Sequence, residues 1–164
     1  MQSKVEDARD FLALAFGGID VNSGYRTTVK EVLKSLTDLN QCTNFPTVHV
    51  LLGDGSIEPE SEGWNVLTQT NQVIALGYFD DELESVSEIK KTAGETAGEP
   101  LLHDMLRVIY LNALSELTSG NQTRFLIDLR ENPLKIGRYF DYSAKRGAIA
   151  ITFTIKIWMT DGDF

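Results

Sequence analysis

The sequence predicts an α+β fold, with a mostly antiparallel β-sheet, a long helix packed on it and a short amino-terminal helix. Apolar residues recur at helical spacing in two segments, 5–16 and 101–117, whereas β-rich segments lie between and after them. Apolar and polar residues alternate strictly near the end of the sequence, at 148–159, which is typical of a strand with one buried face. A length of 164 residues is that of one domain, so we expect a single unit over 1–164.

The closing strand is the most regular predicted element, and residues 148–159 read AIAITFTIKIWM. Because strand side chains alternate between faces, one face carries Ile149, Ile151, Phe153, Ile155 and Ile157. The other face carries Ala150, Thr152, Thr154, Lys156 and Trp158. These twelve residues are joined by eleven steps of about 3.3 Å and span roughly 36 Å, well beyond an ordinary strand of about 5–6 residues. We therefore expect part of this strand to reach past its own domain and to be covered by something else.

The amino-terminal part begins with an amphipathic helix over 5–16, which ends before Gly17-Gly18. Segment 25–39 combines helical spacing of apolar residues with β-branched residues, so helix and strand both stay open there. A strand is predicted at 47–52, and the sequence Gly53-Asp54-Gly55 indicates a turn that ends it.

The middle of the chain is predicted to contain a loop, a second strand and a weakly structured segment. We expect an exposed loop at 56–63, followed by a β-rich stretch at 64–79 that pairs with the preceding strand as a meander. Segment 80–100 is poor in apolar residues and rich in Thr, Gly and Glu. This composition is typical of a mobile loop or a poorly anchored helix.

The carboxyl-terminal part contains the strongest predicted helix, at 101–117, where the apolar residues keep a 3.6-residue period. We expect this helix to lie across the sheet. A short strand is predicted at 125–129, and residues 139–147 are expected to lead into the closing strand.

Charge is distributed unevenly along the chain, whose net charge is −9. Residues 1–100 hold 17 acids and 7 bases, whereas residues 101–164 hold 7 acids and 8 bases. The bases of the second part are Arg107, Arg124, Arg130, Lys135, Arg138, Lys145, Arg146 and Lys156. Such a division fits either two solvated faces or complementary surfaces that join copies of the chain. The acidic total argues against general nucleic-acid binding, because clustered Lys and Arg make phosphate contacts.

The sequence shows no set of residues that could carry catalysis. His49, His103 and Cys42 lack the spacing of a zinc site, and the acids at 80–84 lack the pattern of a calcium loop. No phosphate-binding loop and no nucleophile elbow is present. No apolar run reaches the length of a membrane helix, and acids at 6–10 do not suit a signal peptide. We therefore expect a soluble, non-secreted protein without enzymatic activity, cofactor or metal.

The order of these segments resembles the tail terminator and tail-completion (head–tail joining) proteins of long-tailed bacteriophages. The resemblance rests on an amino-terminal helix, GYRTTVKEV at 24–32, FPTVHVLLGDG at 45–55, a strand near 69–79, a helix at 101–117 and a closing strand. It covers most of the chain and lies in architecture rather than in catalytic motifs. The departure is the helical spacing at 28–39, where the family would have a strand.

The resemblance implies a structural protein of the virion, located at the tail or neck after assembly in the host cytoplasm. Copies would form a ring, commonly a hexamer, that caps the tail tube, ends tube growth and meets the head connector. Genomic DNA would pass through the lumen without specific binding, and no membrane would be involved. The alternatives are another neck or tail-tube component, a small ligand-binding or regulatory domain, or an unrecognised enzyme.

Two groups of residues are candidates for a subunit interface or for the lumen of such a ring. The first is the solvent-side face of the closing strand, with Thr152, Thr154, Lys156 and Trp158. The second is the basic set Arg138, Lys145 and Arg146, which could meet the acids of a neighbouring subunit.

Overall fold

Two helices and a curled, mostly antiparallel sheet make up the computed structural model, which describes residues 2–59, 67–82 and 96–159. This confirms the α+β class. The helices are α1 (Lys4–Gly17) and α2 (Gly98–Asn112). The strands within these ranges are β1 (Glu31–Leu33), β2 (Thr47–Pro59), β3 (Leu67–Asp80), β4 (Leu117–Thr118), β5 (Arg124–Asp128), β6 (Lys135–Asp141) and β7 (Arg146–Met159). Short 3₁₀ helices span Val21–Ser23 and Leu39–Gln41.

The sheet is ordered β1-β2-β3-β7-β5-β4, and β6 also pairs with β7. Only β1 runs parallel to its described neighbour, β2. Both β5 and β6 run antiparallel to β7. The last residue of β5, Asp128, lies opposite Thr154, and the first residue of β6, Lys135, lies opposite Thr152. Together they act as one interrupted strand along the same edge of β7, and residues 129–134 bulge out opposite Phe153.

The core lies between one face of this sheet and the two helices. Helix α1 buries Leu12 and Phe16, and α2 buries Met105 and Ile109, all without measurable exposure. These apolar stripes follow from the helical spacing in the sequence. A capping box starts α1, because the Ser3 hydroxyl accepts from the amide of Glu6 while the Glu6 carboxylate accepts from the amide of Ser3. The predicted amino-terminal helix is confirmed.

The second helix differs from its predicted bounds. It has 15 residues against 14 for α1, so the contrast between a long and a short helix is not found. It ends at Asn112, whose side-chain amide donates to the carbonyl of Val108. Leu117, which continues the apolar period, instead lies opposite Phe125 in β4. The apolar spacing continues after the helix has ended, so the sequence predicted a helix end that lies too far along the chain.

The segment that was open between helix and strand forms a three-residue strand, β1, followed by the 3₁₀ turn at 39–41. The predicted turn at 53–55 is wrong, because β2 runs through it to Pro59 with a β-bulge between Leu52 and Gly55. Residues 56–59 are therefore strand rather than loop. The parts of the predictions that fall on 60–66 and 83–95 lie outside the described residues.

The closing strand is confirmed as long, with 14 residues and the predicted face buried. The expectation that its end reaches past the domain is wrong. Strand β3 is equally long and pairs with β7 from Leu67 opposite Met159 to Asp80 opposite Arg146. Even Met159 is only 6% exposed. The residues expected only to lead into β7 include a strand of their own, β6, which forms a hairpin with it.

Candidate functional site

The two faces of the sheet are covered differently. The helices cover one face, which we call the helix face and which includes Ile149, Ile151, Phe153, Ile155 and Ile157. The opposite face, which we call the open face, is partly covered by residues 37–45. There, a small second cluster joins Cys42 and Phe45 to Tyr78 on β3. The Tyr78 hydroxyl donates to the carbonyl of Thr37 at 2.8 Å. This segment thus closes the half of the open face near the start of β7.

His49 lies beneath this cover and is fully buried. Its Nδ1 lies 3.2 Å from the carbonyl oxygen of Leu76, which can only accept, so Nδ1 carries the proton. Nε2 has no hydrogen-bond partner among the described residues. Burial lowers the pKa of His49 below its ordinary value, although the Leu76 carbonyl and the charge of Glu31 oppose this in part. The site holds a neutral imidazole.

We expect the free energy of unfolding to decrease as the pH falls below about 6.5, because unfolded His49 then binds a proton that the folded state binds only at lower pH. Above that pH the imidazole is neutral in both states and its contribution is complete. Urea unfolding at pH 7.5, 6.5 and 5.5 measures this slope. In His49→Phe the slope should be smaller than in the wild-type protein measured in parallel. Equal slopes in the variant and the wild type would assign the dependence to other groups.

The other half of the open face carries the predicted candidate residues of β7. Thr152, Thr154, Lys156 and Trp158 share this face, as the alternation predicted. Across β3 they lie opposite Ile74, Gln72, Thr70 and Thr68 in that order. Of these eight side chains, four are Thr and one is Gln, and Lys156 is the one cation among them. Thr154 is 8% exposed, and the other three predicted residues are half-buried.

Trp158 is held at the end of this surface by a neighbouring strand. The guanidinium carbon of Arg124 lies 5.5 Å from the centre of the Trp158 ring, which is a cation–π distance. Arg124 also pairs with Glu116, and their hydrogen bond holds the pKa of the Glu116 carboxyl below its ordinary value. The ion pair with Glu116 therefore holds the Arg124 guanidinium beside the indole of Trp158.

A groove of about 410 Å³ lies beside Lys156, between residues 113–116, which follow α2, and residues 126–131. Asp128 contributes a carboxylate to it. Partial burial raises the pKa of Asp128, but the outcome is a lowered pKa because the amides of Glu131 and Arg130 and the side chain of Asn132 donate to the carboxylate. Lys156 lowers it further through its charge. The carboxylate is thus occupied in shaping the bulge at 129–134.

The basic candidates do not join the surface of Thr152 and Trp158. Arg138 projects on the helix face, where its Nε lies 3.1 Å from Glu99 Oε1. Arg146 pairs with Asp80 at 3.2 Å. Lys145 lies in the turn between β6 and β7, and its carbonyl accepts from the amide of Asp81. Arg138 and Arg146 therefore form ion pairs with acids of the first part of the chain within one molecule. The expected attraction between the two parts of the chain does not require a neighbouring subunit.

Sequence reasoning missed two buried carboxylates that organise the fold. Asp104 of α2 is fully buried and accepts from the amides of Arg26 and Thr27 and from the Thr27 hydroxyl. Asp7 of α1 accepts from Thr123 and Asn121. Both acids lie on the apolar stripe of their helix, which was a signal that they would be buried.

Within the described ranges, no cluster of three or more His, Cys, Asp or Glu side chains could hold a metal ion. In the same ranges, no helix combines the length and apolar character needed to cross a bilayer. The chain matches no family model, and no curated protein matches it.

Proposed function

We propose that this chain is a structural protein of a long-tailed phage virion, of the tail terminator type. Copies form a ring, commonly a hexamer, on the end of the completed tail tube. The ring ends tube growth and offers its other side to the head connector. The order of helix, strands, helix and strands supports this proposal, as does the resemblance in the segments at 24–32 and 45–55.

The observation that carries the proposal is the half of the open face on which, among the described residues, segment 37–45 does not pack. Its β7 side chains Thr152, Thr154, Lys156 and Trp158 stand beside hydroxyl and amide groups of β3. A broad surface of this kind provides hydrogen-bonding groups and one aromatic anchor, which is the composition of a protein contact. Its cations Lys156, Lys135 and Arg124 share the face with the acids Glu58 and Asp128, so a channel built from it would let DNA pass without strong phosphate contacts.

The mechanism is physical rather than chemical. A rotational arrangement of sheets surrounds the channel, and loops at either end engage the tube below and the connector above. Acids of the first part, such as Asp54 and Glu58 on β2, would repel DNA from the lumen wall. No covalent step is required.

Electron microscopy of the purified protein, alone and mixed with tail tubes assembled from the tube protein of the same genome, tests the proposal. We expect rings, and rings seated on tube ends. Trp158→Ala should raise the protein concentration at which rings form by about tenfold, since aromatic anchors dominate protein contacts. Tyr142→Ala is the matched control, because it removes an exposed ring in the β6–β7 turn. A strictly monomeric species that never associates with tubes would contradict the proposal.

A further inference from the structure

The sheet has two exposed edges on opposite sides. Strand β1 pairs only with Thr47–His49 of β2, and the later part of β2 is exposed from Asp54 to Glu58. At the other side, β6 is exposed from Lys135 to Tyr139. Among the residues that the structure describes, neither segment pairs with a strand on its outer side. Unpaired strand edges are templates for pairing with another chain.

The side chains of these two edges are complementary. Ile57 lies opposite Gln69, which lies opposite Ile157, so Ile57 is on the helix face, where it is 48% exposed. Ile136 lies opposite Ile151 on the same face and is 43% exposed. On the open face, the neighbours of these two residues are Glu58 on β2 and Lys135 on β6. Each edge therefore presents an isoleucine on one face and a charge on the other, with opposite signs.

The strand directions select one geometry for pairing. Each successive pair from β2 through β3 and β7 to β6 is antiparallel, so β2 and β6 run in opposite directions. A second copy placed beside the first in the same orientation brings its β2 antiparallel to β6. With Ile57 opposite Ile136, this register places Glu58 opposite Lys135 and Ser56 opposite Gly137.

We propose that β6 of one copy pairs with β2 of a second copy, antiparallel and with Ile57 opposite Ile136. The proposal rests on the proposed ring and names the contact that builds it. Pairing of two β2 edges about Ile57 would place the two copies of Glu58 diagonally across from each other, and pairing of two β6 edges about Ile136 would do the same for the two copies of Lys135. The charges thus disfavour two-fold dimers and favour a head-to-tail contact, which generates a closed ring when the rotation closes.

Charge reversal tests the register. Glu58→Lys and Lys135→Glu should each raise the protein concentration needed for assembly by about tenfold, since like charges directly opposite across strands repel. The double variant should restore assembly. Glu82→Lys is the control, because it makes the same charge change as Glu58→Lys at an exposed position that follows β3, a strand paired on both sides. Circular dichroism establishes that each variant is folded, and light scattering measures assembly.

Cysteine cross-linking gives a second measurement that does not depend on charge. Ile57→Cys and Ile136→Cys proteins, mixed and oxidised, should form covalent dimers, while a chain with both changes should form a ladder of oligomers. Each single variant alone reports any cross-linking through the buried Cys42.

The outcomes separate this contact from the proposed function. Rings that form without the cross-link and are indifferent to the reversals would overturn the edge pairing and leave the ring proposal standing. A cross-linked ladder from a protein that never caps tubes would support the edge pairing and contradict the terminator role. If the wild-type protein stays monomeric and the cysteine variants form no cross-links, both proposals are contradicted.

Discussion

Asp104→Ala is expected to lower the free energy of unfolding by about 3–5 kcal/mol, the largest effect of any single change considered for this chain. The carboxylate is fully buried and accepts from the amide of Thr27 at 2.7 Å, from its hydroxyl at 2.7 Å and from the amide of Arg26 at 2.9 Å. Removing it leaves these donors buried without an acceptor. Because they precede β1, we expect the edge of the sheet to loosen as well.

Urea unfolding measures this effect, and two neighbouring changes calibrate it. Thr27→Val removes one donor and keeps the shape, so it should cost about 1 kcal/mol. His103→Ala changes an exposed neighbour and should cost less than about 0.5 kcal/mol. A loss below about 1 kcal/mol in Asp104→Ala would mean that the buried carboxylate does not hold this segment.

Gly147→Ala is expected to destabilise the protein by about 2–3 kcal/mol through overpacking. Gly147 lies between Phe79 and Phe140 in one row of the sheet, and those two rings stack over it with centres 5.9 Å apart. A Cβ at this position would come within 2.4 Å of Phe79 Cζ and within 2.5 Å of the Tyr139 carbonyl oxygen. The ring has little room to move, because Gly98 of α2 also lies close to it: a Cβ at Gly98 would come within 2.5 Å of Phe79 Cε1.

Gly137→Ala provides the matched control on the adjacent strand. Its nearest neighbour would be the Ala150 Cβ at 3.9 Å, which is an ordinary contact. This variant should be neutral or more stable by about 0.5–1 kcal/mol, because Ala loses less backbone entropy than Gly. Equal urea midpoints for the two variants would refute the packing account of Gly147.

The closing strand shows what a local pattern can predict. Five apolar residues at every second position, from Ile149 to Ile157, determine which face is buried whatever the strand pairs with. The same alternation placed Thr152 and Trp158 together on the open face. Its extent and faces were therefore predictable, but its cover was not, because that depends on the equal length of β3.

Strand β6 shows the opposite case. Its segment carries no apolar alternation strong enough to define a buried face, and its first five residues are exposed. Pairing with β7 makes it a strand, and the Asp141 carboxylate helps by accepting from the amides of Ser143 and Ala144 in the connecting turn. The position of Arg138 beside Glu99 follows only from that pairing, so the basic set could not be located from sequence.

The sequence by itself determined the α+β class, the amino-terminal helix and the two faces of β7, since these depend on spacing among near neighbours. The tertiary structure alone decided that segment 25–39 forms a short parallel strand, that β2 continues through Gly53 and Gly55, and that Arg138 and Arg146 pair within the chain. The physical reason is that these outcomes depend on partners distant in sequence. Asp104, for example, lies 77 residues from the Thr27 amide that it binds.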